Sequence, residues 1–351
     1  MALDKTIIEM ARTKYAEKWQ HDWEQMASRV QPLTTILSDA PPKGVYWEFP
    51  QIGGTNVREY TDGRADMVTD QLAFGKRGMK QRKFYNSIDL CIDEVDDMLN
   101  LEYNFEIIRG KQKAAAARFL DMITLGTVKD GSGYRIKTDS DDGFGGGILG
   151  DGYAGEDGSV RTSLDLTYAS FLAGKGNLIP VDYATTGTGV SKNYAGTLFD
   201  RVSYMLRRLE ELDAFDNSTP GDLCLAISPA VKQMLNAYET VVNRGDYGFS
   251  KLVQGVPTFN ATLNATVVVT NMLPTMNTED KSGNQVTGAR MCCAWLKSQV
   301  GFGMWKDTEW TLKDVPNKIA VDHALRVRGK AGCARLRDDA VFVLPVVEKA
   351  S

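Results

Sequence analysis

Residues 98–126 read as one long helix with the alanines Ala114–Ala117 packed into it, and a helix of that length commits the chain to an elongated scaffold. Leu101, Phe105, Ile108, Ala115, Phe119 and Met122 recur at three-and-four spacing, which predicts one apolar face, and Gly126 supplies a stop. At 1.5 Å per residue the segment is a rod about 40 Å long. It follows a basic run, Gly75–Lys83, and an alternating stretch from Lys83 to Asp93 (Lys-Phe-Tyr-Asn-Ser-Ile-Asp-Leu-Cys-Ile-Asp) that predicts a strand. A strut joined to an extended arm points to assembly rather than to chemistry.

Composition allows an ordinary folded core around that strut. The chain has 351 residues, enough for two or three domains, of which 43% are hydrophobic. A net charge of −4 argues against a dedicated nucleic-acid-binding protein but is compatible with local basic patches. No apolar run approaches the roughly eighteen residues of a membrane span. The opening Met-Ala-Leu-Asp-Lys-Thr-Ile-Ile-Glu has no signal-peptide hydrophobic region, so a soluble protein without a membrane partner is expected. Cys91, Cys224, Cys292, Cys293 and Cys333 form no CxxC pair and only two histidines accompany them; reduced core residues are expected, with no metal and no cofactor.

Along the chain, Thr6–Val30 predicts an amphipathic helix with Ile8, Tyr15, Trp19, Trp23, Met26 and Val30 in one stripe, ended by Pro32. So aromatic a stripe packs either on the chain's own core or on a neighbouring subunit. Val45–Phe49 is strand-like and is broken by Gly53-Gly54; the polar stretch Thr55–Lys83 then carries Lys76, Arg77, Lys80, Arg82 and Lys83. A two-stranded excursion of this kind buries no core of its own and must rest on something else. Asp130–Ser163, rich in Gly and Asp, predicts a long surface loop.

A second helix follows from Asn193, with Leu198, Val202, Met205, Leu209 and Leu212 on one face. Leu223–Ile227 predicts a buried strand, and Ser228-Pro229 a helix start. Strand-like runs come at Ala265–Thr270, Met291–Lys297, Thr308–Lys313, His323–Gly329 and Ala340–Val347. The whole reads as α+β, with a compact central α/β domain between two parts of a more sheet-like one.

Motifs for catalysis fail on spacing. Gly174-Lys175 precedes Gly176 where a phosphate-binding loop needs Ser or Thr, and Ala169 stands where its first Gly belongs. Asp139–Gly143 opens like a calcium loop, but Gly143 occupies a liganding position and Gly150 the place of the bidentate Glu. His21 and His323 have no Cys or carboxylate at ligand spacing, and neither a GxSxG elbow nor an HExxH motif occurs. No catalytic residue is expected. The acidic run Asp89, Asp93, Glu94, Asp96 and Asp97, close behind the basic run, is solvated surface in a monomer and a complementary face in a repeating assembly.

In order along the chain, several segments resemble the major capsid proteins of tailed bacteriophages, the Hong Kong 97-type capsid fold. After the N-terminal helix and basic loop come Arg82-Lys-Phe-Tyr-Asn-Ser-Ile-Asp-Leu-Cys-Ile-Asp and the helix containing Ala114-Ala-Ala-Ala-Arg-Phe-Leu-Asp. Leu223-Cys-Leu-Ala-Ile-Ser-Pro, Val267-Val-Val-Thr-Asn-Met-Leu-Pro and Ala294-Trp-Leu-Lys-Ser-Gln-Val-Gly-Phe-Gly complete the set.

The resemblance implies an N-terminal arm (1–40), an extended loop (41–85) and a peripheral domain (86–190) built on the spine helix 98–126 with an insertion at 130–163. An axial domain (191–285) and a return to the peripheral domain (286–351) follow. It implies pentamers and hexamers closing into an icosahedral shell around packaged double-stranded DNA, with scaffolding and portal partners. Assembly in the host cytoplasm and residence in the virion go with it. On that reading Tyr15, Trp19, Trp23, Lys76, Arg77, Lys80, Arg82, Lys83, Asp93, Glu94, Asp96 and Asp97 are candidate inter-subunit contacts. Arg109, Lys111, Lys113 and Arg118, on a helix near the inner surface, are candidates for non-specific contact with DNA. The alternatives are an encapsulin-like compartment with the same fold, and a mixed α/β enzyme using Asp139–Asp157 as a ligand loop.

Overall fold

The computed structural model describes residues 29–36, 44–52, 74–91, 101–131, 133–138, 146–154, 160–181, 183, 194–211, 222–233, 252–253, 256–257, 265–280, 284–314 and 321–348. In chain order these contain β1 (Tyr46–Ile52), β2 (Phe74–Lys80), β3 (Arg82–Cys91) and the long helix α1 (Leu101–Leu125). Two small hairpins follow, β4 (Thr127–Asp130) with β5 (Gly133–Ile136), and β6 (Gly152–Ala154) with β7 (Val160–Thr162). The rest comprises α2 (Tyr194–Glu211), β8 (Leu223–Ile227), β9 (Ala265–Val269), β10 (Thr275–Glu279), β11 (Gln285–Leu296), β12 (Val300–Asp314), β13 (Val321–Arg335) and β14 (Val341–Val346).

α1 forms where its periodicity predicts, but its buried face is turned by about one residue. Gln112, Ala116, Leu120, Ile123 and Thr124 are buried, whereas Ala115 and Met122 are only half-buried. Four consecutive alanines are apolar on every side and leave the phase of the stripe open. What sets it is polar: Gln112 donates to the Leu325 carbonyl (3.2 Å) and to Asn86 Oδ1 (3.3 Å). Asp121, also buried, accepts from the backbone N–H groups of Val30 (3.2 Å) and Arg29 (3.4 Å). A buried polar group that finds such partners costs little.

The helix ends at Gly126, in left-handed conformation (φ 73°), whose N–H returns to the Met122 carbonyl. Its last free carbonyls are taken by the chain that follows. Ile148 N–H donates to Thr124 O (2.8 Å) and Leu149 N–H to Leu125 O (3.0 Å). Gly146–Gly150 is therefore core, which corrects the expectation that Asp130–Ser163 is surface loop throughout. Glycine serves close approach here: a Cβ on Gly147 would run into the backbone of Gly126 and Ile123.

β12 and β13 form a long antiparallel ladder, extended by β3 on the far side of β13 and by the short parallel pair Thr35–Ile36 on β12. Phe84, Leu325 and Val327 point to the buried face, against α1, while Tyr85, Ser87, Arg326 and Arg328 are exposed. Both long strands exceed their expected lengths because glycines interrupt the β-pattern. Those glycines make room for neighbouring rings: Gly329 lies opposite Phe84, and Gly303 against Trp47 and Met79.

The second sheet runs β9-β8-β11-β10, with β14 on the other side of β11. β8 is buried at every residue and pairs parallel with β9 and antiparallel with β11. β11 and β14, expected in a segment returning to the peripheral domain, thus hydrogen-bond into the same sheet as β8; β12 and β13 alone of that segment's strands join the first sheet. Val202, Met205 and Leu209 of α2 are fully buried, and Arg201 of the same helix donates to Pro345 O of β14 (2.5 Å). Ser228 caps the next turn through its Oγ, which accepts from Val231 N–H (3.2 Å). One continuous apolar core joins these two sheets with α1 and α2, and β1, β2, β6 and β7 form a further four-stranded sheet in that order, β6 pairing antiparallel with β2.

Candidate assembly surfaces

The hairpin β1–β2 cannot fold alone, and its root is held by a buried polar hub. Arg335, with no exposed surface, donates from Nη1 to Ile148 O (2.8 Å) and Gly150 O, from Nη2 to Thr162 O (3.0 Å), and from Nε to Asp338 Oδ1 (3.1 Å). Burial lowers the pKa of this guanidinium, and the Asp338 charge opposes that shift. Arg77 of β2 reaches the other oxygen of Asp338 (2.5 Å) and donates to Thr162 Oγ1. Asn177 Nδ2 closes the hub on the carbonyls of Asp338 (2.6 Å) and Val341 (2.7 Å), while Gln51 of β1 donates to Leu336 O.

The other cations of the basic run divide by environment. Lys80 sits over the Tyr153 ring (4.3 Å) and Arg82 over the Phe119 ring (5.5 Å), both within the subunit. Lys76 pairs with Glu48 across the hairpin (3.4 Å), with both side chains largely exposed. Lys83 is exposed on the sheet face away from α1. Four of the five cations thus have partners inside their own chain.

On α1, Lys111 and Arg118 are exposed, Arg118 Nε donating to Ala114 O (3.1 Å), and Lys113 is half-buried. Arg109 lies on the helix, but its side chain falls outside the described set. Tyr15, Trp19, Trp23, Asp93, Glu94, Asp96 and Asp97 also lie outside the described residues, as do His21 and Asp139–Gly143.

Burial controls the reactive side chains. Cys224, Cys292, Cys293 and Cys333 are buried and free. Desolvation pushes the thiols of Cys224, Cys292 and Cys333 up to about 12, and that of Cys293 well above its ordinary value. A thiol held protonated is a poor nucleophile. Among the described residues no group of three or more His, Cys, Asp or Glu is placed to hold a metal ion. Gly150, at the calcium-loop Glu position, has its carbonyl committed to Arg335. No described helix is long and apolar enough to cross a membrane.

Arg335, Asp338, Asn177, Gln112 and Asp121 carry this architecture and have no signal in the linear pattern. The nearest hint is an Asp and a Gln within the length of an amphipathic helix.

No protein-family model matches the chain, and no curated protein matches it. Solved structures do match over nearly the whole length. The capsid of cyanophage P-SCSP1u superposes with TM-score 0.53 at 16% identity, covering 92% of this chain and 89% of that one. The mature capsid of bacteriophage PhiM1 gives 0.55 at 10% identity over 92% and 88%, and a chain of Mycobacterium phage Ogopogo gives 0.57 at 13% over 91% of each. The chain has the Hong Kong 97-type capsid fold. At these identities the backbone arrangement is shared and side-chain chemistry is not transferable.

Proposed function

We propose that this chain is a major capsid protein, a structural subunit that self-assembles into pentamers and hexamers of an icosahedral phage head around double-stranded DNA. The observation that supports it is reciprocal coverage: the chain accounts for about nine-tenths of the phage capsid chains it matches and they for about nine-tenths of it. On this reading the protein resides in the virion, is assembled in the host cytoplasm, and works with scaffolding and portal proteins. The N-terminal residues 1–40, carrying Tyr15, Trp19 and Trp23, form an arm against a neighbour, and the loop 41–85 reaches over another. The peripheral and axial domains correspond to 86–190 and 191–285, with 286–351 returning.

Electron microscopy and sedimentation of the expressed chain, with and without a scaffolding protein, test this reading. Closed shells or capsomers are expected, with interfaces of about 1,600 Å² for each pairing. A monomer at high concentration under every salt condition overturns it. Replacing Trp19 and Trp23 by Ala is expected to lower shell yield more than the melting temperature of the subunit, since tryptophans are frequent interface hot spots.

A further inference from the structure

The face of the β3–β13–β12 sheet turned away from α1 is basic, and its cations stand in register. Lys83 of β3 lies directly opposite Lys330 of β13, which lies opposite Lys306 of β12: three lysines in one row across three strands. The next row is Tyr85, Arg328 and Glu309, and the next Ser87, Arg326 and Thr311. Like charges directly opposed across strands are destabilising unless an anion joins them. Of the acids on or beside this face, Glu309 is occupied by Lys306 (2.5 Å) and Arg328 (2.9 Å), which lower its pKa, while Asp89 stands at the Cys91 end of β3 and Asp307 is exposed beside Lys306. Lys83, Arg326 and Lys330 have no ion-pair partner among the described residues. Between the rows lies a shallow depression of about 320 Å³ lined by Tyr85, Ser87, Thr311, Arg326, Val327 and Arg328, with Tyr85 83% exposed. Paired guanidiniums and hydroxyls suit carboxylates.

We propose that this face docks the acidic segment Asp93–Asp97 of a second copy of the chain, an inference that rests on the shell reading above. That segment carries Asp93, Glu94, Asp96 and Asp97, and no Lys or Arg occurs between Lys83 and Arg109. The chain's own copy cannot serve the lysine row. Lys83 lies eight residues from Cys91, about 26 Å along the strand. α1 runs back along β3, with Gln112 beside Asn86 and Phe119 against Phe84, so its start at Leu101 lies toward the Cys91 end of β3. Reaching the row and returning requires about 52 Å, whereas nine residues span at most about 32 Å. For the lysine row the occupant therefore comes from another molecule, and this chain's own sequence supplies one of opposite sign.

Charge exchange tests the pairing, with sedimentation velocity as the readout. Lys83→Glu, Arg326→Glu and Lys330→Glu together, or Asp93→Lys, Glu94→Lys and Asp96→Lys together, are each expected to lower shell yield more than about tenfold, since facing like charges disfavour association. Combining both sets in one chain is expected to restore assembly to within about twofold of the parent. Singly reversed chains that assemble like the parent, or a combined chain as defective as either, overturn the pairing while leaving the shell reading intact. A parent that never associates overturns both. Shells that form normally with the reversed sheet face but lose packaged DNA make it a phosphate-binding surface instead, and also overturn the pairing. Independently of variants, carbodiimide coupling of parent shells mixed from two isotopic labels is expected to join Lys83 or Lys330 to Asp93, Glu94, Asp96 or Asp97 between copies. Absence of such links counts against the proposal in the same way.

Discussion

Arg77 and Asp338, 261 residues apart in sequence, meet at 2.5 Å at the root of the hairpin, where Asp338 also binds the fully buried Arg335. One carboxylate thus joins two guanidiniums from different sheets. The hairpin is thereby tied through Arg77 to the turn that joins β13 and β14.

Asp338→Ala strands Arg335 as a buried charge without its counterion. A loss of about 3–5 kcal/mol is expected, read from urea unfolding of the subunit. Arg77→Ala, at a side chain 13% exposed, leaves the Arg335–Asp338 pair in place and is expected to cost less. Equal effects would show that the hub does not depend on Arg335.

Gly147→Ala is expected to prevent recovery of a soluble folded subunit. Its φ of 81° disfavours any side chain, and the methyl group would occupy the backbone of Gly126. Gly131→Ala, where nothing lies within 4 Å, serves as the control and is expected to express like the parent.

Glu348 binds Arg290 through both carboxylate oxygens (3.1 and 3.2 Å), pinning the chain after β14 to β11. Burial raises its pKa, but the hydrogen bonds from Arg290 and Ser228 outweigh this and hold it below the ordinary 4.5. The resulting stability is fully present above pH 4.5 and is lost as the pH falls through the lowered value. Glu348→Gln is expected to cost about 1 kcal/mol at neutral pH and to flatten the acid limb of a melting-temperature profile; an unchanged acid limb would remove the pair from it.

Asp121 anchors the chain at Arg29 and Val30 onto α1. Asp121→Ala is expected to cost about 1–3 kcal/mol. Hydrogen exchange at the Val30 amide is expected to accelerate selectively, and parent-like protection there would show that the tether lies elsewhere.

Replacing Arg109, Lys111, Lys113 and Arg118 by Gln is expected to leave empty shells intact and to make packaged particles less tolerant of changing salt, because each phosphate contact adds to the salt dependence. Parent-like DNA retention across a salt series would make the four purely structural.

Local pattern made parts of this fold legible, and long-range pairing hid others. The end of α1 at Gly126 and the limits of β8 follow from neighbouring residues alone, because a left-handed glycine and a five-residue apolar run are local signals. The rotation of α1 depends on Gln112 meeting a carbonyl 213 residues away. Gly146–Gly150 carries the composition of a loop and the burial of a core, because its glycines serve close packing. Of the candidate surface, Lys83 alone among the basic run is exposed on the sheet; its companions Arg326, Arg328 and Lys330 emerge only when strand register sets them beside it. Arg77, Lys80 and Arg82 gave no hint of their inward partners, since Asp338, Tyr153 and Phe119 are remote in sequence.

The peptide groups of Ile148–Gly150 tie the end of α1 to Arg335, and Arg335 shares Asp338 with Arg77. A tensile load applied along the hairpin therefore has a path to the C-terminal end of the rod through short directional bonds in series. Hydrogen bonds weaken steeply once distance and angle leave their preferred range, so the weakest link in the series sets the load the path can carry. A joint built this way is expected to resist small displacements and to give way once that one link is lost.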